Sequence, residues 1–196
     1  LSGPVQRVMA LSSTPRKTRM ISNGPRNGKK VKVQTPTTIH ALLEFENGAM
    51  ITMGTSWDVF HNGHNNMELY GDKGTLYVPD PNFFGGELQM SKGEKLLKKV
   101  PAYKHPLGVP NEKHGNGKMA NYRTAGLADM ADAIINNRPH RCSLEMSLHA
   151  VDVMTSILKA GETGRAVKLS TTCKRPKALG TKEAKAMLAP SKKSRK

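Results

Sequence analysis

The sequence is poor in several things whose absence narrows its class. It has two cysteines in 196 residues, Cys142 and Cys173, at a spacing that suits neither a zinc site nor a redox pair. A disulfide scaffold is excluded, and both are read as reduced thiols of a cytoplasmic protein. No apolar run reaches the length of about 18 residues that a membrane-spanning helix needs. The opening Leu1-Ser2-Gly3-Pro4 lacks the charged-then-apolar order of a secretory leader. Aromatic residues make up only 5% and hydrophobic residues 37%, so the expectation is one core-forming domain diluted by polar ends.

Acid is missing too, but only locally. Residues 1–35 hold eight Lys or Arg and no Asp or Glu, and residues 174–196 hold nine against one. The stretch between carries fourteen of each sign, so the net charge of +16 comes from the two ends. A basic nucleic-acid-associated protein would rest on those ends alone, and nucleic acid is the disfavoured partner. Residues 174–196 are Lys/Ala/Ser/Pro-rich with little to bury. They are expected to form a basic, unfolded tail behind a folded domain spanning 1–173.

What is present is a run of strand signals followed by two helix signals. Residues 38–46, then Asn47-Gly48, then residues 49–57 read as a hairpin, and Asn-Gly suits a type I′ turn. On the second strand Ala49, Ile51, Met53, Thr55 and Trp57 share one face, with Met50, Thr52, Gly54, Ser56 and Asp58 on the other. One face is apolar and the other turns polar toward its end, which predicts a sheet covered on one side and partly open on the other. Residues 5–12 are read as an earlier strand, 15–28 as a loop and 30–34 as an edge strand. Residues 66–70 and 75–78 follow as strands about Gly71-Asp72-Lys73-Gly74, and Pro79 and Pro81 stop the second. Residues 87–90 and 95–100 read as a more exposed hairpin, and 101–120 as a long irregular excursion.

The first helix is predicted over 124–137, with Leu127, Met130, Ala131, Ile134 and Ile135 on one face. The second starts at Ser143 as N-cap and runs to about residue 160. Leu144, Leu148, Val151, Met154 and Leu158 form its main stripe, Val153 and Ile157 widen it, and Gly161 and Gly164 stop it. Met130, Met146 and Met154 are read as core fillers, and His149 as a packing residue. A short returning strand is expected over 165–170. The fold class is α+β: an open, predominantly antiparallel β-sheet with helices packed on one face.

Three segments carry a resemblance when taken together. They are Leu42-Leu43-Glu44-Phe45-Glu46-Asn47-Gly48-Ala49 with Ser56-Trp57-Asp58-Val59; Met67-Glu68-Leu69-Tyr70-Gly71-Asp72-Lys73-Gly74-Thr75-Leu76 with Val78-Pro79-Asp80-Pro81-Asn82; and Gly126-Leu127-Ala128-Asp129-Met130-Ala131-Asp132-Ala133-Ile134 with Arg138-Pro139-His140-Arg141 and the helix through His149, Asp152 and Val153 to Gly164-Arg165. In this order the chain resembles the C-terminal domain of the glucose–fructose oxidoreductase and inositol dehydrogenase (Gfo/Idh/MocA) family, roughly from Pro4 to Pro176. The resemblance implies an open sheet, dihydrodipicolinate reductase-like, that packs beside the nicotinamide and often forms homo-oligomers. It also implies NAD or NADP, bound mainly by an N-terminal Rossmann half that this sequence does not contain. The family's Glu-Lys-Pro and Asp-x-x-x-His elements are absent, and Leu1-Ser2-Gly3-Pro4-Val5 resembles the stretch just after the second. No residue is therefore assigned a catalytic role, and the chain alone is expected to be inactive. Gly115-Asn116-Gly117-Lys118-Met119-Ala120 spells a loosened dinucleotide fingerprint but does not follow a strand.

Substrate contacts are what such a half would supply. Trp57 and Asp58, with His61 and His64, cluster at the end of a strand, where polar groups reach hydroxyls and an indole stacks on a sugar ring. Tyr122 and Arg123 before the first helix are a second candidate. His61 and His64 imitate a metal pair, but no third ligand accompanies them and no metal is expected. The Asp80–Gly86 loop, with Phe83 and Phe84, is a candidate cover for a site or a subunit contact. The leading expectation is the substrate-binding and oligomerisation half of an NAD(P)-dependent oxidoreductase acting on a sugar, sugar derivative or cyclitol. The alternative from another class is a non-catalytic binding or scaffold module using the open sheet.

Overall fold

A computed structural model of the chain describes residues 3–93, 95–101 and 103–189. Among the described residues twelve strands run as β1 (Val5–Ser13), β2 (Thr18–Met20), β3 (Lys30–Lys32), β4 (Thr38–Phe45), β5 (Met50–Ser56), β6 (Met67–Gly71), β7 (Gly74–Val78), β8 (Gln89–Lys92), β9 (Lys98–Lys99), β10 (Glu112–His114), β11 (Gly117–Met119) and, after two helices, β12 (Val167–Lys168). The helices are α1 (Ala125–Ile135), α2 (Leu144–Thr163) and α3 (Thr181–Leu188). Every described ladder is antiparallel, and the chain divides into two compact units. Residues 1–62 and 142–176 form the first; residues 63–141 and 177–196 form the second. The strands thus fall into two four-stranded sheets and two two-stranded ribbons.

The first unit is built on the sheet β12-β1-β4-β5. Its register pairs Val8 with Leu43 and Leu43 with Ile51, while Met9 pairs with Leu42 and Leu42 with Thr52. Strand alternation therefore sends Val8, Ala41 and Leu43 to one face and Met9, Leu11, Leu42 and Met50 to the other. Helix α2 covers only the first face, where Val8, Ala41, Leu43, Ile157, Ala160 and Leu169 form the core. Val8 is completely buried, a contribution of about 1.5–3 kcal/mol. On the uncovered face Leu11 is 74% exposed and Met50 84%.

Small residues let α2 come this close. A Cβ added at Gly161 would lie 2.6 Å from Ser12 Oγ and 2.9 Å from Ser12 Cβ. Ser143 caps the helix by accepting from the Met146 N–H, and Gly164 ends it at φ 65°. His149 is buried beneath the helix, where its Nε2 accepts the Val5 N–H at 3.0 Å and its Nδ1 lies 2.9 Å from Thr171 Oγ1. The Thr171 hydroxyl donates onward to Asp152 Oδ2 at 2.8 Å. This leaves its oxygen to accept from Nδ1–H and fixes the neutral tautomer of the ring.

Several details differ from expectation. Residues 15–28, read as a loop, contain β2, which pairs with β3 in a free-standing ribbon. The Asn47-Gly48 turn is not type I′, because only Gly48 has positive φ (84°) while Asn47 does not. Gly48 N–H bonds Phe45 O and Phe45 N–H bonds Ala49 O, the three-residue loop with a bulge that a type I turn followed by glycine makes. The stripe expected to be the buried face of α2 is on its outside: Leu144, Leu148, Val151, Met154 and Leu158 are exposed, and Val153 and Ile157 turn inward. Met154 and Met130 are accordingly not core fillers. In the second unit α1 likewise buries Asp129 and Ala133 and exposes Leu127, Ile134 and Ile135.

The second unit holds the sheet β6-β7-β8-β9, and the excursion after Val100 contains the ribbon β10–β11 and a short turn of helix at Pro106–Gly108. Residues 174–196 are not unfolded throughout, because α3 lies within them. Eight residues are too few for a helix to stand alone in water. It is held by the full burial of Ala184, by Glu183 accepting from Gly180 N–H, and by Arg141, which donates to Glu183 Oε2 at 3.0 Å and to Lys177 O. Arg141 is itself fixed by buried Asp129, which also accepts from Arg138 at 2.9 Å. Burial alone would raise Asp129, but the Arg141 backbone N–H and the two guanidinium groups outweigh it and hold the carboxyl below its usual range. Residues 190–196 lie outside the described residues.

Ala is the better helix former by about 1 kcal/mol, so propensity alone makes Gly161→Ala stabilising. Contact with Ser12 reverses the sign. Gly161→Ala should lower the denaturant midpoint by about 1–3 kcal/mol of stability, and adding Ser12→Gly should recover part of it. Leu11→Ala on the open face should change stability by no more than about 0.5 kcal/mol in the same melts.

Candidate functional site

At the outer end of the β4–β5 hairpin the chain gathers polar groups that strand alternation alone would not bring together. Thr37 and Thr38 stand at the start of β4, and β5 delivers Ser56, Trp57 and Asp58 beside them. Asp58 Oδ2 accepts from Thr37 Oγ1 at 2.6 Å and from Thr38 Oγ1 at 3.0 Å. Its Oδ1 accepts from Arg19 Nη2 at 2.6 Å, and the same nitrogen donates to Trp57 O at 2.8 Å. Arg19 is on β2, so this carboxylate fastens the β2–β3 ribbon to the hairpin. The Thr37 hydroxyl, then that of Thr38 and the Arg19 guanidinium, hold Asp58 below the usual carboxylate range against its partial burial.

Around this anchor the surface is aromatic and cationic. Trp57 is 80% exposed and Phe60 is 91% exposed. Arg16 lies over the Phe60 ring, 5.1 Å from its centroid. His61 is exposed beside them in sequence. Of the residues expected to contact substrate, Trp57, Asp58 and His61 belong to the first unit, whereas His64, Tyr122 and Arg123 belong to the second.

In the second unit His64 is exposed, and the other two have structural partners. The Tyr122 hydroxyl donates to Val109 O at 2.9 Å and its ring meets Phe84 edge-on. Arg123 donates to Asn82 Oδ1 at 2.7 Å. Both hold the 79–86 loop, where Gly86 at φ 141° sits so close to Pro79 that no side chain would fit. That loop borders a cavity of about 590 Å³ lined by Pro79, Phe84, Lys99, Tyr103 and His105. His105 Nδ1 accepts the Leu107 N–H, so its Nε2–H donates to Leu179 O at 3.2 Å.

Sequence reasoning missed Arg16, Arg19, Thr37, Thr38 and Phe60. The signal for Arg19 and Asp58 was weak, a lone acid downstream of an acid-free segment, and nothing local pairs positions 39 residues apart. Among the described residues no three His, Cys, Asp or Glu side chains gather to hold a metal, and no helix is long and apolar enough to cross a membrane. A dinucleotide finds no cradle in these residues either. All described strand pairs are antiparallel, and Gly115 and Gly117 sit in the β10–β11 hairpin, where Gly115 makes the turn at φ 55°. A pyrophosphate needs a glycine turn that leads from a strand into a helix N-terminus.

An Asp58→Asn variant should lose the Arg19 ion pair, and the amides of Thr18–Met20 should exchange faster with deuterium. The parent's Asp58 has a folded-state pKa below its unfolded value. Its stabilisation is therefore full above the unfolded pKa and fades as pH falls through the folded one. That acid-side slope should be shallower in the variant, as read by melting between neutral and acidic pH.

Residues 1–77 match the GFO/IDH/MocA C-terminal domain family. No curated protein matches the chain. Among solved structures, the fold is similar to an NAD-binding oxidoreductase from Klebsiella pneumoniae (20% identity, TM-score 0.62), covering 86% of this chain and 46% of that one. It is also similar to the aldose–aldose oxidoreductase from Caulobacter crescentus solved with glycerol (20%, 0.56; 85% and 42%) and to a levoglucosan dehydrogenase solved with NADH and L-sorbose (18%, 0.60; 86% and 45%). The chain thus spans less than half the length of the structures it resembles. The family match thus covers the first 77 residues, and the fold is similar to those oxidoreductase structures along about 85% of the chain.

Proposed function

We propose that this chain is the substrate-contacting and oligomer-forming half of an NAD(P)-dependent oxidoreductase acting on a sugar, sugar derivative or cyclitol, and that it is inactive until joined to a dinucleotide-binding half. The observation that carries this reading is the pair of uncovered apolar surfaces on the first unit. Helix α2 packs its Val153 and Ile157 side on the sheet and leaves Leu144, Leu148, Val151, Met154 and Leu158 in water, while the sheet leaves Met9, Leu11, Leu42 and Met50 in water. Clusters of large apolar residues left this exposed mark surfaces that a partner covers. A second half on the helix side and a second copy on the sheet side would cover both.

NAD or NADP would be bound mainly by that second half, since the residues described here offer no phosphate cradle. The cofactor would accept or give the hydride. Sugar contact is assigned to Trp57 and His61, whose exposed rings would face a substrate, with Asp58 positioning Trp57 through Arg19. In the second unit, taken by itself, His64, Tyr122 and Arg123 are proposed as substrate contacts. The neighbours solved with glycerol and with L-sorbose support a polyhydroxylated substrate class.

The longer gene product, with this chain joined in frame to a dinucleotide-binding half, should reduce NAD+ or NADP+ with an aldose, polyol or cyclitol. Trp57→Ala should raise KM about tenfold with little effect on kcat, the mark of lost binding rather than lost chemistry. Tight NADH binding by the chain alone, or turnover indifferent to Trp57, would overturn the assignment. Leu42→Lys on the open sheet face should shift the enzyme toward monomer in sedimentation at micromolar concentration, and an unchanged sedimentation coefficient would remove that face from the interface.

A further inference from the structure

Three features at the end of the β4–β5 hairpin go beyond what contact with a neutral sugar needs. The first is Arg16. Its guanidinium rests against Phe60, and its side chain makes no hydrogen bond or ion pair among the described residues. Stacking on a ring holds a guanidinium in place without spending its N–H donors, which keep the planar fork that matches a carboxylate or phosphate.

The second is that the nearby acid has its hydrogen bonds taken by other donors. Asp58 Oδ1 is taken by Arg19 at 2.6 Å, and Oδ2 by Thr37 and Thr38 at 2.6 and 3.0 Å. Asp58 spends its hydrogen-bonding capacity on Arg19, Thr37 and Thr38 and reaches Arg16 only through its charge, in a chain whose first 35 residues contain no acid. The local field therefore attracts anions. The third is the exposure of Trp57 and Phe60, two flat apolar rings three residues apart, of which Phe60 carries that cation.

We propose that Arg16, Phe60 and Trp57 form a recognition site for an anionic carbohydrate, a sugar bearing a carboxylate or a phosphate. The rings take the C–H face of the sugar, and the Arg16 fork takes the anionic group. Arg16 is then the residue that selects a charged sugar over a neutral one. This rests on the sugar-contact reading above and narrows it from polyhydroxylated molecules in general to acidic ones.

Trp57 is the only tryptophan of the chain, so its fluorescence reports on this site alone. The intact chain would be titrated with glucuronate, glucose 6-phosphate, glucose, inorganic phosphate and a single-stranded oligothymidylate. Both charged sugars should give a saturable change at concentrations at least about tenfold below glucose, the scale of one charge-assisted hydrogen-bonded pair. Arg16→Gln should bring them to the level of glucose while melting close to the parent temperature, because Arg16 makes no hydrogen bond or ion pair among the described residues and meets Asp58 only through its charge. Lys29→Gln, elsewhere on the ribbon, should leave the preference intact.

A preference for only one charged sugar would still support the site and would name the anion as carboxylate or phosphate. Equal responses to glucuronate, glucose 6-phosphate and glucose would overturn the anion selection while leaving sugar contact standing. Inorganic phosphate matching glucose 6-phosphate would overturn the carbohydrate part. Tighter, steeply salt-dependent binding of the oligonucleotide, indifferent to Arg16, would replace the proposal with a polyanion surface. No response to any ligand would overturn it outright, and the KM of Trp57→Ala in the longer enzyme would then decide the oxidoreductase reading separately.

Discussion

Everything in the first unit depends on how closely α2 approaches β1. A helix packs on a sheet through whichever side lets backbones come nearest, and the Ser156, Ile157, Ala160, Gly161 side does so against Val8 and Ser12. The side with the larger apolar residues, Leu144 to Leu158, stands off and stays in water. Dispersion and area burial both favour the tighter seam, since a gap of half an ångström forfeits much of each contact. Once α2 is committed to one face, the other face of the sheet has nothing left in the unit to cover it. The two uncovered apolar surfaces are consequences of that one packing choice.

Buried and half-buried carboxylates do a comparable job for the basic ends of the chain. The ribbon β2–β3 has almost no buried side chains, and its order comes from its own ladder and from Arg19 reaching Asp58. Helix α3 is in the same position, tied through Glu183 and Arg141 to Asp129. In each case one acid sits where its solvation is poor and recovers the cost through two or more donors. Segments too short and too polar to bury themselves are fixed by charge, not by area. Arg16, which rests on a ring and meets Asp58 only through its charge, is left with its donors unspent.

Much of the fold was legible in advance because it is written in local patterns. Alternation marked β1, β4, β5, β6 and β7; Ser143 and Gly164 marked the ends of α2 through capping chemistry that acts within four residues. The Asn47-Gly48 hairpin was legible as a hairpin but not as a turn type, because Asn tolerates positive φ without requiring it. The apolar periodicity of α1 and α2 showed that each has an apolar side, not which side the core would use. The helix near residue 181 was hidden in a Lys- and Ala-rich stretch, since its stability comes from Arg141 and Asp129, which lie 40 and more residues upstream.

For the candidate site the division is sharper. From its own residues and the segments they form, the sequence determined that strands precede helices, that the charge lies at the ends, that the middle resembles an oxidoreductase C-terminal half, and that Trp57 and Asp58 close a strand. These are local or compositional properties, readable without knowing what touches what. Only the tertiary structure decided that Asp58 is occupied by Arg19, Thr37 and Thr38, that Arg16 rests on Phe60, and that Trp57 is left facing water. Those pairings depend on the register of β4 against β5 and on where the ribbon folds back. Both are set by summed weak contacts over the whole sheet, which no single stretch of sequence contains.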